Sequence, residues 1–275
     1  MNSPTSVKIH EWIDLDKIAR SGQCFRWHKT DGGYRIPFKE TDFIVSQRDP
    51  YTLVFVCKEN EFETVWKDYF DLETNYEEIC SGVSRDNDPF LHEAIKNQKG
   101  IRILKQDPWE MLITSIITQN RNIPAIQKSV ELLSEKAGTE CQSVDGSSFF
   151  AFPTPSQLAN MSDQALSDCK LGYRMAYVRD VARAVASGEI SLEQLALLPD
   201  EECEKKLLAL KGIGEKVAAC ILLFGFHRLN AFPMDVWMKR ILEKEYPNGY
   251  PKAEYSPFNG LYQQYMFAYY RELYA

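Results

Sequence analysis

The stretch Leu208-Ala209-Leu210-Lys211-Gly212-Ile213-Gly214-Glu215-Lys216-Val217-Ala218-Ala219-Cys220 ends one helix, turns through two glycines and opens another. Such a turn presents successive backbone N–H groups at the start of the second helix, where the helix dipole adds its pull on an anion. A phosphate of a DNA backbone fits there, and a grip made by backbone groups reads position along the strand rather than sequence. Taken alone, the Gly-x-Gly turn reads equally well as a glycine-rich connection between helices. Lys216 stands in the first turn of an otherwise apolar helix, and Asp235 follows nineteen residues later (235 − 216) within Phe232-Pro233-Met234-Asp235-Val236-Trp237. Asp235 comes after a short proline-containing loop and before a helical run from Val236 to Tyr246, which is an N-cap position.

Outward from the hairpin the chain divides into two styles of patterning. Residues 33–58 alternate and favour β-branched and aromatic types, as in Tyr34-Arg35-Ile36, Phe43-Ile44-Val45 and Thr52-Leu53-Val54-Phe55-Val56, with turns at Asp31-Gly32-Gly33 and Gln47-Arg48-Asp49-Pro50. An antiparallel sheet is expected within residues 1–100, with helices flanking it from about Phe62. Residues 101–275 then read as helical. Asp107-Pro108 opens a helix whose apolar residues Trp109, Leu112, Ile113, Ile116 and Ile117 recur at helical spacing. The polar break Thr118-Gln119-Asn120-Arg121-Asn122 separates it from a helix over about 123–136. Residues 137–155 read as a surface connection. Further helices are expected at 163–169, 174–187, 192–197 and 201–209, with Ser162, Ser191 and Asp200 as caps, so that the hairpin spans about 201–226. Residues 244–260 read as loop before a last helix over about 261–273. The fold class is therefore α+β, a mainly helical core with an N-terminal antiparallel sheet domain.

Composition limits the function classes. No basic stretch followed by an apolar run opens the chain, and the longest apolar stretch, 217–226, falls well short of the roughly 20 residues a bilayer requires. A secreted or membrane role is not expected; the cytoplasm or nucleoid of a prokaryote, or the nucleus of a eukaryote, is. Seven cysteines without a CxxC pair, and four scattered histidines, give no zinc or iron–sulfur spacing, so no metal and no cofactor are expected. The net charge of −7 runs against the basic surplus of most DNA-binding domains, and is reconciled with DNA only if uncharged backbone groups hold phosphate.

The hairpin, the glycine- and proline-containing loop and the aspartate resemble the helix-hairpin-helix glycosylase superfamily, and further segments resemble its 8-oxoguanine DNA glycosylase/AP lyase branch. Those segments are Ser21-Gly22-Gln23-Cys24-Phe25-Arg26-Trp27, residues 100–108, Leu171-Gly172-Tyr173-Arg174, and Gly260 with Gln263 and Phe267. The resemblance implies a monomeric enzyme acting on double-stranded DNA that contains 8-oxoguanine. It implies that Lys216 attacks the sugar C1′ and forms a Schiff base, while Asp235 stabilises the developing positive charge. A lysine amine attacks only when neutral, and a helix N-terminus in an apolar setting favours that form.

The resemblance also implies a pocket for a base swung out of the stack. Phe267 would stack on the purine, Gln263 would bond its Watson–Crick edge, and Cys220, one turn after Lys216, would touch the same ligand. The Gly22 carbonyl would accept from N7–H, which 8-oxoguanine has and guanine lacks. Asn120 would fill the vacated space, and Tyr173 and Arg174 would wedge and contact the opposite strand. Gly212, Gly214 and Trp237 would touch the DNA backbone. Two positions depart from the family: Ala125 stands where the eukaryotic enzymes carry a cytosine-reading arginine, and Trp237 where many members have a histidine. Opposite-base selectivity and phosphate contact are both expected to differ accordingly. Two other readings fit the same residues, an alkylated-purine glycosylase of the same superfamily and a non-catalytic DNA-binding module.

Overall fold

The computed structural model describes residues 5–58 and 60–274. Its N-terminal part is a five-stranded antiparallel sheet of β1 (Thr5–Lys8), β2 (His28–Thr30), β3 (Gly33–Phe38), β4 (Thr41–Asp49) and β5 (Thr52–Val56), in the order β1-β5-β4-β3-β2. Pairing Val45 with both Tyr34 and Phe55 puts Tyr34, Ile36, Phe43, Val45, Leu53 and Phe55 into one core with Trp66 and Phe70. The two-residue period of the sequence thus gives one buried face. Helix α1 (Leu15–Arg20) lies between β1 and β2. Past the sheet come a π-helical turn at Phe62–Trp66 running into α2 (Lys67–Tyr69), then α3 (Tyr76–Ser81) and α4 (Pro89–Asn97).

The helical remainder begins with α5 (Pro108–Ile117), capped by Asp107, and α6 (Ile123–Ala137), capped by Asn122. A short hairpin of β6 (Glu140–Gln142) and β7 (Ser148–Phe150) follows, then α7 (Pro155–Ala159), α8 (Asp163–Asp168), α9 (Arg174–Ala186), α10 (Leu192–Leu197), α11 (Asp200–Leu208), α12 (Glu215–Phe224), α13 (Val236–Glu245) and α14 (Asn259–Tyr274). Ser162 and Ser191 cap α8 and α10 as their positions suggest, whereas Asp200 is the first residue inside α11 rather than its cap.

Residues 137–155 are more than a surface connection. The β6–β7 pair buries Phe149, and its turn docks on the sheet, where the buried Asp42 accepts from Ser143 Oγ and from the Val144 N–H at 3.0 Å. The strands are only three residues long and polar apart from Phe149 and Phe150, which leaves no alternating run to read. Strands β1 and β2 and helix α1 are likewise too short to carry a periodic signal.

Helix α12 is the axis of the molecule. One of its faces, with Val217, Ala218, Ile221 and Leu222, packs into a core built from α5, α6 and α9. The other, with Cys220, Leu223 and Phe224, packs into a second core with α4, α13 and α14. No polar side chain faces water along most of its length, which explains the continuous apolar run of its sequence. Among the described residues no helix is long and apolar enough to cross a membrane.

Candidate active site

A cleft of about 1630 Å³ opens where the two helical cores meet. Its walls include Gly22, Asn120, Gly214, Lys216, Asp235, Trp237 and Phe267, which come from positions spread over most of the chain. Lys216 sits in the first turn of α12, half-buried, and its Nζ donates to Thr118 Oγ1 at 3.3 Å. Thr118 in turn donates to the Ser115 carbonyl at 2.7 Å, which fixes the hydroxyl against the end of α5. Thr118 carried no signal of its own in the sequence beyond membership of a polar break.

Asp235 is the N-cap of α13, accepting from the Met238 N–H through Oδ1 at 2.8 Å. That single bond leaves the second carboxylate oxygen for the cleft. Cys220, one turn beyond Lys216, is buried. Burial pushes its thiol up, with the Lys216 amino group working against the rise and the Asp235 carboxylate adding to it. Cys220 therefore stands as a neutral thiol beside the Lys216 amine.

Gly22 has φ +84°, a left-handed backbone that glycine adopts without strain. Its neighbours are tied down. The Ser21 carbonyl accepts from Gln264 Nε2 at 2.6 Å, the Gln23 carbonyl accepts from Gln106 Nε2 at 2.8 Å, and the Gln23 side chain bonds both Arg102 O and Leu104 N. Among the described residues no hydrogen bond reaches the Gly22 carbonyl between them. Phe267 lies against Gly22, since a β-carbon built there would sit 3.6 Å from Phe267 Cε1. Gln263, one turn earlier on α14, is buried, and its Oε1 has no hydrogen-bond partner. A buried acceptor without a partner is costly, so an orphan at this place is a reason to expect a ligand donor. Gln264 and Gln23, which organise the Gly22 turn, were not singled out by the sequence.

The mouth of the cleft carries Asn120, exposed and held at φ +49°, with Nδ2 3.4 Å from the Tyr173 hydroxyl. Tyr173 is 54% exposed, packed edge-on to Tyr177 and covered by the Arg174 guanidinium at 4.3 Å. Arg174 itself is buried. It donates through Nε and Nη2 to the Gln119 carbonyl and through Nη1 to Leu171 O, so all three guanidinium nitrogens hold protein backbone. Arg121, beside Asn120, is the arginine of this loop that lines the cleft.

The hairpin turn is tied to the same loop by Gln119 Nε2, which donates to Gly212 O at 3.0 Å. Gly212 has φ +88°, and any β-carbon there would run into the Tyr177 ring at 2.3 Å. Gly214 starts α12 with no side-chain cap and with open space around it. The first N–H groups of α12 are thus without a side-chain acceptor. Trp237 packs edge-on to Tyr270 at 6.2 Å and carries the Arg240 guanidinium 5.4 Å over its ring.

Comparison with known proteins places the fold in a family. Residues 6–112 match the family model for the 8-oxoguanine DNA glycosylase N-terminal domain, and residues 113–254 match that of the HhH-GPD superfamily base excision DNA repair protein. The chain is 26% identical to a probable N-glycosylase/DNA lyase of Methanothermobacter thermautotrophicus over 86% of its own length and 83% of the relative's. It is 31% identical to the N-glycosylase/DNA lyase OGG1 of Arabidopsis thaliana over 83% of its length and 65% of that protein's. Its fold superimposes with a TM-score of 0.87 on the Clostridium acetobutylicum 8-oxoguanine glycosylase/lyase, solved with double-stranded DNA containing cytosine opposite 8-oxoguanine, at 33% identity and full coverage of both chains. With the second family model alone covering more than half of its residues, the chain belongs to the HhH-GPD superfamily of base-excision DNA repair proteins.

Proposed function

We propose that this protein binds duplex DNA, swings 8-oxoguanine out of the stack, removes it, and nicks the strand through a Schiff base on Lys216. The observation that carries the reading is the pairing, inside one cleft, of a lysine–aspartate couple with the Gly22 carbonyl, which lacks a partner among the described residues, while Gln263 Oε1, buried and also without a partner, stands one turn before the cleft-lining Phe267. 8-Oxoguanine supplies a donor for each: N7–H for Gly22 and the N1–H/N2–H edge for Gln263. Guanine presents a lone pair at N7 and leaves the glycine carbonyl facing it, a mismatch worth roughly 1–3 kcal/mol.

In this reading the base lies on Phe267, and Lys216 Nζ attacks C1′ as the C1′–N9 bond breaks and the electron pair departs with the base. Asp235 stabilises the positive charge that grows on the sugar. Loss of a proton from nitrogen and opening of the ring give the imine, which acidifies the C2′ proton; its removal expels the 3′ phosphate. The free N–H groups at the start of α12 hold a backbone phosphate, and Asn120 with Tyr173 occupies the space the base leaves. Trp237 supplies an uncharged contact at the DNA backbone, with Arg240 behind it. Arg174 serves by holding the Gln119 carbonyl and so the filler loop, while Arg121 is the arginine that reaches the DNA. The enzyme would work wherever the genome lies, in the nucleoid or the nucleus.

The test is borohydride reduction during incubation with duplexes carrying 8-oxoguanine opposite each of the four bases. A covalent protein–DNA adduct, lost in Lys216→Gln while DNA binding persists, is expected. Failure of the wild type to trap would remove the lysine mechanism and favour an alkylated-purine glycosylase. Retention of binding and biological effect by Lys216→Gln would favour a non-catalytic DNA-binding module. Ala125, where an arginine would read cytosine, leads to excision that varies little with the opposite base.

A further inference from the structure

We infer that Arg271 is a specificity-determining residue that donates a hydrogen bond to the exocyclic O8 of the flipped base, an inference that rests on the 8-oxoguanine reading above. Arg271 lines the cleft, half-buried, one helical turn beyond Phe267 and two beyond Gln263. Its guanidinium lies 5.4 Å over the Phe267 ring, and its Nη1 would be 3.9 Å from a β-carbon at Gly22. Among the described residues it has neither an ion-pair partner nor a hydrogen-bond acceptor, whereas the buried arginines 26 and 102 are both paired with carboxylates. A guanidinium is a donor without acceptor capacity, so an unpaired one inside a binding cleft faces an oxygen or an anion of the ligand.

Which oxygen follows from the helix. Gln263, Phe267 and Arg271 are spaced i, i+4, i+8, so they share one face of α14, with the first and last about 12 Å apart along the axis at ~1.5 Å per residue. A purine lying on the central Phe267 then points one end toward Gln263 and the other toward Arg271. Gln263 at the Watson–Crick end accounts for N1, N2 and the adjoining O6. The opposite end of the same molecule is the C8 edge. Gly22 closes the geometry, because its carbonyl is the N7 acceptor and Arg271 is its neighbour, and C8 is the atom bonded to N7 on the side away from O6. The acceptor at Gly22 and the donor at Arg271 thus match N7–H and O8 together. Guanine fails at both, since it has a lone pair at N7 and a C–H at C8.

The experiment compares wild type, Arg271→Met and Arg271→Lys in single-turnover excision of 8-oxoguanine and in strand cleavage at a preformed abasic site. Arg271→Met should slow excision on the order of 10- to 100-fold, the loss of one charge-assisted hydrogen bond, while cleavage at the abasic site, which has no base, stays at the wild-type rate. Arg271→Lys, which keeps a donor, should recover part of the excision rate. Excision unchanged in Arg271→Met would overturn the assignment. So would an equal loss in both reactions, which would place the arginine on the DNA backbone or in the fold. Wild-type excision is the internal control: its absence would sink the underlying reading, whereas its presence with a silent Arg271→Met sinks only this inference.

Discussion

Replacing Gly22 by alanine separates the pocket from the fold. At φ +84° an alanine carries the left-handed penalty of about 1–2 kcal/mol. The added β-carbon itself meets nothing closer than Phe267 Cε1 at 3.6 Å, an ordinary contact, so no clash adds to that cost. For a chain of this size the expected fall in Tm is about 2–8 °C. Excision should suffer much more. The methyl group occupies the space between Gly22 and Phe267 that the N7/C8 edge of the purine needs, which costs about 1–3 kcal/mol by overpacking, and the N7–H bond is lost or bent for about another 1 kcal/mol. Together these predict single-turnover excision of 8-oxoguanine reduced roughly 30- to 1000-fold. Cleavage of an abasic duplex, where no base enters, should stay within about threefold of wild type. Excision within threefold of wild type would refute the placement of the base edge at Gly22. A parallel collapse of abasic-site cleavage would instead mean that the turn supports Lys216 itself.

Asp235→Asn keeps the helix cap, since asparagine caps as well as aspartate, so α13 should lose no more than a few tenths of a kcal/mol while excision falls by at least 100-fold; equal activity would leave Asp235 with the cap alone. The two hairpin glycines should part company. Gly212→Ala forces the Tyr177 ring aside and should lower both Tm and affinity for any duplex, whereas Gly214→Ala, with open space and φ −99°, should cost only the roughly 1 kcal/mol of a poorer N-cap and weaken lesion-containing and undamaged DNA alike; undiminished DNA affinity in the second variant would count against the phosphate role. Glu110 offers a pH test. Burial raises its carboxyl to about 7, with Arg26 at 3.8 Å only partly opposing the rise. The folded state therefore holds a proton that the unfolded chain releases near 4.5, and stability should decline as pH climbs from about 4.5 to about 7, by at most about 3 kcal/mol, then level off. In Glu110→Gln that decline should vanish from a plot of Tm against pH, and an unchanged slope would exclude Glu110 as its source.

The sheet was legible because β3, β4 and β5 bury one face with β-branched and aromatic residues, whereas the Gly212–Gly214 turn, open to a second reading by itself, became specific only in the company of Lys216 and Asp235. Asp107 and Asp235 are N-caps whose side chains bond three residues ahead, as their positions before a helical run suggest, while Asn122, read only as part of a polar break, caps α6 in the same way. What escaped is whatever depends on partners far along the chain. Gln264 reaches Ser21 across 243 positions, and Lys216 reaches Thr118 across 98. Nothing local marks either. Arg174 looked like a residue for DNA beside Tyr173, and its three bonds to the Gln119 and Leu171 carbonyls become visible only once α9 is packed against α5. The β6–β7 hairpin was missed for a different reason: three-residue strands have no period.

An acidic chain that binds DNA must do so with few cations, and the cleft allows the number to be bounded. Its lining lysines and arginines are Arg121, Lys216, Lys239, Lys252 and Arg271, and the same wall carries Asp200, Glu201 and Glu204 from the start of α11. With Lys216 assigned to the sugar and Arg271 to the base, as proposed, three remain for phosphates (5 − 2). Backbone N–H groups at α12 add grip without formal charge. Counterion release then gives a slope of log K against log salt near −3, since each neutralised phosphate contributes about −0.9. Fluorescence anisotropy of Lys216→Gln with a lesion-containing duplex, titrated from about 50 to 200 mM salt, measures it. A slope steeper than about −6 would mean that basic residues outside the cleft, such as Lys205, Lys206 and Lys211 of the hairpin's first helix and turn, take the larger share of the DNA, and that the backbone N–H groups are the lesser anchor.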